Sequence, residues 1–164
     1  MKDLSILDNL ITGRVEPHIY AFTTNTIPNY LKVGDTYRPV SKRLSEWEEY
    51  YPNLEKQFEG SAKITDSVFF RDHSVHYFLE SWKHRARLEV KDIPEGTYYS
   101  REFFKEATVD DIRDAITDIH EDYHSKTGKY HYYDAKTQLP TTEKYASTGM
   151  WLPPSESAGN HRCF

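Results

Sequence analysis

Asp72 stands where an acid is costly. Val68, Val75, Leu79 and Trp82 recur at helical spacing, and Asp72 falls inside their stripe. A buried carboxylate costs several kcal/mol unless a metal, a cation or hydrogen bonds satisfy it, so the position calls for a bound ion or for pairing with Arg71 or Lys32. Arg43 lies about 60° from the edge of another apolar stripe while Lys42 points to water, which puts a guanidinium at the border of the core. Tyr20 and Lys32 belong to two neighbouring β-rich runs, and Lys32 is two residues before Gly34. A glycine there permits close approach of backbone or phosphate, or marks a bulge. A tyrosine has an ordinary pKa near 10, so it serves as a base at neutral pH only where a cation or metal favours its phenolate. Lys32 is the candidate cation.

A second constellation competes. His120-Glu-Asp-Tyr-His124 matches H-E-x-x-H, the helical zinc signature in which two histidines share one face. On the wheel, however, Ile119 and Tyr123 centre the apolar stripe and both histidines lean towards solvent. No third ligand stands out: His131 is close in sequence and Glu143 lies in a polar stretch. With eight His and 26 acids in the chain, a chance match is the preferred explanation.

The elements that must position these residues follow from periodicity. Residues 1–17 read as a short amphipathic lead segment. His18–Thr24 and Tyr30–Thr36 flank the turn-rich Asn25–Asn29 and read as an antiparallel hairpin. Pro39 suits the first turn of a helix reaching about Tyr50, with Val40, Leu44, Trp47 and Tyr51 in one stripe. Leu54–Ile64 is expected to be a third strand, and Asp66–Arg85 a second helix. Tyr98–Lys105 reads as a further strand candidate. Thr108 with Asp111 resembles a capping box at the start of a third helix, striped by Ile112, Ile116, Ile119 and Tyr123 and ended near Gly128. Residues 129–164 are a Tyr/His-rich segment followed by a polar tail, with 18–128 as the domain proper.

The chain has 164 residues, the length of one domain that buries roughly 70% of its unfolded surface. Lys and Arg number 21 against 26 Asp and Glu, a net charge of −5, so any phosphate-binding surface must be local. Thirteen Tyr, 8 Phe and 3 Trp supply a core and exclude a disordered chain. No run approaches the roughly 18 apolar residues of a membrane span, so neither membrane anchoring nor secretion is expected. One cysteine, Cys163, excludes an internal disulfide and suits a cytoplasmic protein.

The motifs together resemble a known family. His18-Ile-Tyr-Ala-Phe22, then Leu31-Lys-Val-Gly-Asp-Thr36, then Lys42-Arg-Leu44 within a helix, resemble the GIY-YIG nucleases, in the branch whose second motif begins with Lys. The resemblance spans residues 18–105 and maps the first-motif Tyr onto Tyr20, the second-motif position onto Lys32 and the helix Arg onto Arg43. Arg71-Asp-His-Ser-Val-His76 resembles the segment that carries a metal-binding Glu and, four residues later, a His, which implies Asp72 as metal ligand and His76 as a further catalytic candidate. Arg101-Glu-Phe-Phe104 resembles a Glu-aromatic-Phe strand and makes Glu102 a candidate. His18 replaces the family's Gly, Lys32 its Tyr, and Asp72 its Glu, one methylene shorter.

The resemblance implies an α+β fold with a small, mainly antiparallel three-stranded sheet flanked by helices and a peripheral third helix. It implies a metal-dependent DNA endonuclease using one Mg²⁺ or Mn²⁺, with Arg38, Lys42 and Arg71 meeting the DNA backbone. Hydrolysing a phosphodiester needs a base, positive charge for the nonbridging oxygens and help for the leaving oxygen, and Tyr20, Arg43 and a metal on Asp72 are suited to these tasks. Each residue also has a structural reading: a core tyrosine, an arginine covering apolar surface, a paired acid, a hydrogen-bonded His76, a strand-edge Glu102. The alternative function is therefore an impaired domain that binds nucleic acid or protein within a larger restriction, repair or helicase-type polypeptide.

Overall fold

A computed structural model describes residues 15–141 apart from 94, 98 and 99. Most of the lead segment and of the polar tail lies outside these residues. The hairpin forms as its alternation requires: β1 (His18–Thr24) pairs antiparallel with β2 (Ile27–Thr36). Its turn is only Asn25-Thr26, tighter than the five-residue connector expected, because Thr24 pairs directly with Ile27. Pro28 then sits within β2 but before Tyr30, where pairing to the next strand begins, so its missing N–H interrupts no bond on that side.

After α1 (Val40–Trp47) comes β3 (Glu55–Ser61), shorter than anticipated, an edge strand paired to β1 and carrying exposed charges that discourage edge-to-edge association. The fold class is the expected α+β, and the main sheet gains a fourth strand: β5 (Phe103–Lys105) joins β2, giving the antiparallel order β3-β1-β2-β5. The strand candidate at Tyr98–Lys105 thus contracts to its last three residues, with 98 and 99 outside the description.

The second helix begins six residues later than its apolar stripe indicates. Thr65 Oγ1 accepts from the backbone of Ser67 and Val68, forming a local turn, and β4 (Val68–Phe69) pairs with β6 (Tyr133–Asp134). The helix α2 is Asp72–Ser81, and Trp82, which closes it, is 56% exposed. Asp72 therefore occupies the first turn of a helix, where a carboxylate meets the positive end of the dipole. A short 3₁₀ turn (Val90–Asp92) precedes β5, and α3 (Val109–Ser125) starts at the anticipated capping box between Thr108 and Asp111. It ends on Lys126 in the left-handed region, two residues ahead of Gly128.

Helices cover both faces of the sheet. Tyr20, Phe22 and Phe103 pack with Val40, Leu44 and Trp47 of α1. Ile19, Ala21, Leu31, Val33 and Phe104 pack on the other face with Val75 and Leu79 of α2 and Ile112, Ala115 and Ile119 of α3. Tyr130 and Tyr132 belong to this second core, so the start of the Tyr/His-rich segment closes the domain. No helix among the described residues is long and apolar enough to cross a membrane.

Candidate functional site

Tyr20 pairs with Gly34 and Phe22 with Lys32 across the hairpin, and opposed residues share a face. Tyr20 and Lys32 therefore point the same way, towards α1. A Cβ on Gly34 would stand 2.6 Å from Tyr20 Oη and 3.1 Å from Lys32 Nζ, so the glycine is required for the phenol and ammonium to close over the strand. The irregularity in the hairpin falls instead between Phe22 and Thr24, which removes the bulge reading of Gly34.

Trp47, on the inner face of α1, organises three of the candidates. Its Nε1–H donates to Tyr20 Oη at 2.7 Å. The Lys32 ammonium and the Arg43 guanidinium lie 4.3 Å and 4.8 Å from its ring centroid, both within cation–π range. Arg43 borders the core as its wheel position requires, with 13% of its side chain exposed. Burial raises the Tyr20 phenol above its ordinary pKa; Lys32 and Arg43 pull it down, Glu102 pushes it up, and the net direction is upward. Lys32 alone does not supply a phenolate.

Lys32 donates to Glu102 Oε1 at 2.6 Å, with both side chains almost wholly buried. Burial alone would depress the Lys32 pKa, but Glu102, Tyr20 and Asp72 outweigh it and hold the ammonium above its ordinary value. Lys32 is thus a fixed cation rather than a base. Glu102, His76 and Asp72, contributed by the approach to β5 and by α2, bring ligand atoms within 4.8 Å of one another, and all three are buried. His76 Nε2 contacts the Val33 carbonyl at 2.8 Å; a carbonyl only accepts, so Nε2 carries a proton. Two carboxylates and an imidazole are a donor set that suits a divalent cation, so these residues fit the ion that the sequence resemblance implies.

The basic residues are arranged less openly than their sequence positions indicate. Arg38 makes a bidentate pair with Glu46 at 2.7 Å, and Arg43 donates to the same carboxylate at 2.9 Å. The Arg38 guanidinium holds Glu46 at a pKa of about 2. Arg71 pairs with Asp35 at 2.9 Å, and the same carboxylate oxygen accepts the Asp72 backbone N–H. Asp35 thereby fastens the start of α2 to β2. Lys42 is exposed.

The competing histidines stay apart from this cluster. His120 is half-buried and His124 exposed, and they line an open groove with Ile116, Thr117, Glu121 and Ser125. Burial, then His124, lowers the His120 pKa. Among the described residues the only three-donor group within metal-binding distance is Asp72, His76 and Glu102; His131 packs edge-on against His73, and Glu143 lies outside the described residues.

The model of the T5orf172 domain matches residues 17–120, which span the sheet, α1, α2 and most of α3. The chain belongs to the T5orf172 domain family. This is an endonuclease-type domain family. No curated protein and no solved structure matches the chain. Within this T5orf172 domain, sequence reasoning does not reach Trp47, Asp35 or Glu46. Trp47 reads as core, although an indole N–H in an apolar stripe demands an acceptor. Asp35 directly follows Gly34, and Glu46 lies three residues beyond Arg43 at salt-bridge spacing; those are the signals that point to them.

Proposed function

We propose that this T5orf172 domain is a GIY-YIG-like endonuclease of the Lys-containing branch that hydrolyses DNA phosphodiesters with one Mg²⁺ or Mn²⁺. The observation that carries the reading is convergence: Tyr20 from β1, Lys32 from β2, Asp72 and His76 from α2 and Glu102 beside β5 meet in one cluster, with Arg43 at its rim. Hydrolysis adds water across a P–O bond, so negative charge grows on the phosphate oxygens and a proton must leave the water. Arg43, partly exposed and paired with Glu46, is the cation assigned to those oxygens. Tyr20 Oη accepts from Trp47, which fixes the orientation of the phenol, while Lys32 and Arg43 favour its phenolate against the cost of burial. Asp72 would hold the divalent ion, which when bound would supply Lewis acidity for the phosphate charge and the water. Arg38, Lys42 and Arg71 meet the flanking backbone phosphates.

A second reading, an impaired domain that only binds nucleic acid or protein, is favoured by the protonated, 1% exposed Tyr20. Nicking of supercoiled plasmid separates the two. The nuclease requires Mg²⁺- or Mn²⁺-dependent nicking that Asp72→Asn abolishes; the binding module requires DNA retention without nicking in either metal.

A further inference from the structure

The metal expected in the proposed site rests, by resemblance, on a single carboxylate at Asp72. The geometry points to a three-donor centre, Asp72, His76 and Glu102, that takes a first-row transition cation, with Mn²⁺ as its probe, in preference to Mg²⁺. This rests on the nuclease reading for its use but not for its chemistry.

Asp72 and His76 stand four apart on α2, hence on one face, one turn apart. The hydrogen bond from His76 Nε2–H to the Val33 carbonyl is the kind of backbone contact that fixes the tautomer and ring orientation of a metal-ligating histidine. Glu102 enters from the sheet side, and its backbone carbonyl accepts from Val33 N–H at 2.9 Å. Val33 thus ties both ligands to one point of β2. The Lys32 hydrogen bond to Glu102 Oε1 orients the carboxylate as outer partners of ligating carboxylates do.

Donor–metal distances of about 2.1 Å place donors on one ion roughly 3–4 Å apart, so the 4.8 Å spread closes by side-chain torsion. An imidazole among the donors sets the preference: Mg²⁺ takes oxygen ligands and keeps its waters, whereas nitrogen suits later divalent ions.

The test uses the full chain with Mn²⁺ alone, and no DNA. Electron spin-echo spectroscopy reads nitrogen coupling from an imidazole bound to Mn²⁺, and calorimetry gives the affinities. The centre requires one Mn²⁺ per chain, bound about tenfold or more tighter than Mg²⁺, with a nitrogen coupling that His76→Gln removes and His120→Gln leaves intact. Should His76→Gln fail to fold, the spectrum of His120→Gln decides: coupling kept there supports the centre, and coupling lost there overturns it. Mn²⁺ bound without nitrogen coupling overturns the three-donor centre, and plasmid nicking in Mg²⁺ by the same protein would leave the nuclease reading standing. Coupling lost in His120→Gln but kept in His76→Gln moves the metal to the α3 groove and overturns it as well.

Discussion

Lys32 is the residue on which the site turns, because a wholly buried ammonium tolerates its position only through its partners. Glu102 meets it at 2.6 Å, and Tyr20 and Trp47 present their rings to it. Removing one partner of a buried ion pair leaves an uncompensated charge and costs roughly 3–5 kcal/mol, whereas replacing both with apolar groups of similar volume is far cheaper. Urea denaturation of Glu102→Gln is therefore expected to show a loss of about that size, and Lys32→Met/Glu102→Leu a smaller one; additive losses would mean the pair is not coupled. The pH dependence has a definite sign. The folded-state pKa of Lys32 lies above its ordinary value, so its contribution is full below about pH 10.5 and disappears as pH rises through the folded value. Little of this is legible in the sequence. The hairpin period puts Tyr20 and Lys32 on one face, but Glu102 lies seventy positions from Lys32, and no local pattern encodes a contact at that separation.

Among the elements, α1 carries a charge arrangement that its stripe does not announce. The wheel places Arg43 at the core edge and Lys42 in water, as the structure has them, yet Glu46 gathers both Arg38 and Arg43 onto one carboxylate. A carboxylate and a phosphate offer guanidinium similar bidentate acceptors, so Glu46 would compete with DNA for Arg38, its bidentate partner. Glu46→Gln is expected to tighten DNA binding and steepen its salt dependence by about one unit. An unchanged slope in a fluorescence-anisotropy salt titration would remove Arg38 from the DNA interface. The second helix illustrates the opposite failure of sequence reasoning. Val68, Asp72, Val75, Leu79 and Trp82 keep helical spacing, but the Thr65 turn and the β4–β6 pairing claim Val68, a tertiary contact that overrides local periodicity. The displaced start has a consequence for chemistry: it puts Asp72 at the helix N-terminus, held there by Asp35.

For the molecule as a whole, a net charge of −5 requires that DNA be met by a local surface, and the site lies where both helical layers touch the sheet. α1 brings Trp47 and Arg43 to one face, while α2 brings Asp72 and His76 from the other side, and Lys32 bridges the two sets electrostatically. The α+β class was legible because hairpin alternation, helical stripes and the capping box at Thr108 are local signals. The fourth strand was only partly so, because three residues of β5 hold too little pattern. If these layers build a centre for chemistry rather than for binding alone, Arg43→Ala separates the two in one paired measurement: the nicking rate on supercoiled plasmid with Mg²⁺ or Mn²⁺ beside the affinity for the same DNA. If Arg43 stabilises charge in the transition state, nicking falls about 10²-fold or more while affinity stays nearly constant. Wild-type nicking by Arg43→Ala, or a loss confined to DNA affinity, would contradict the account.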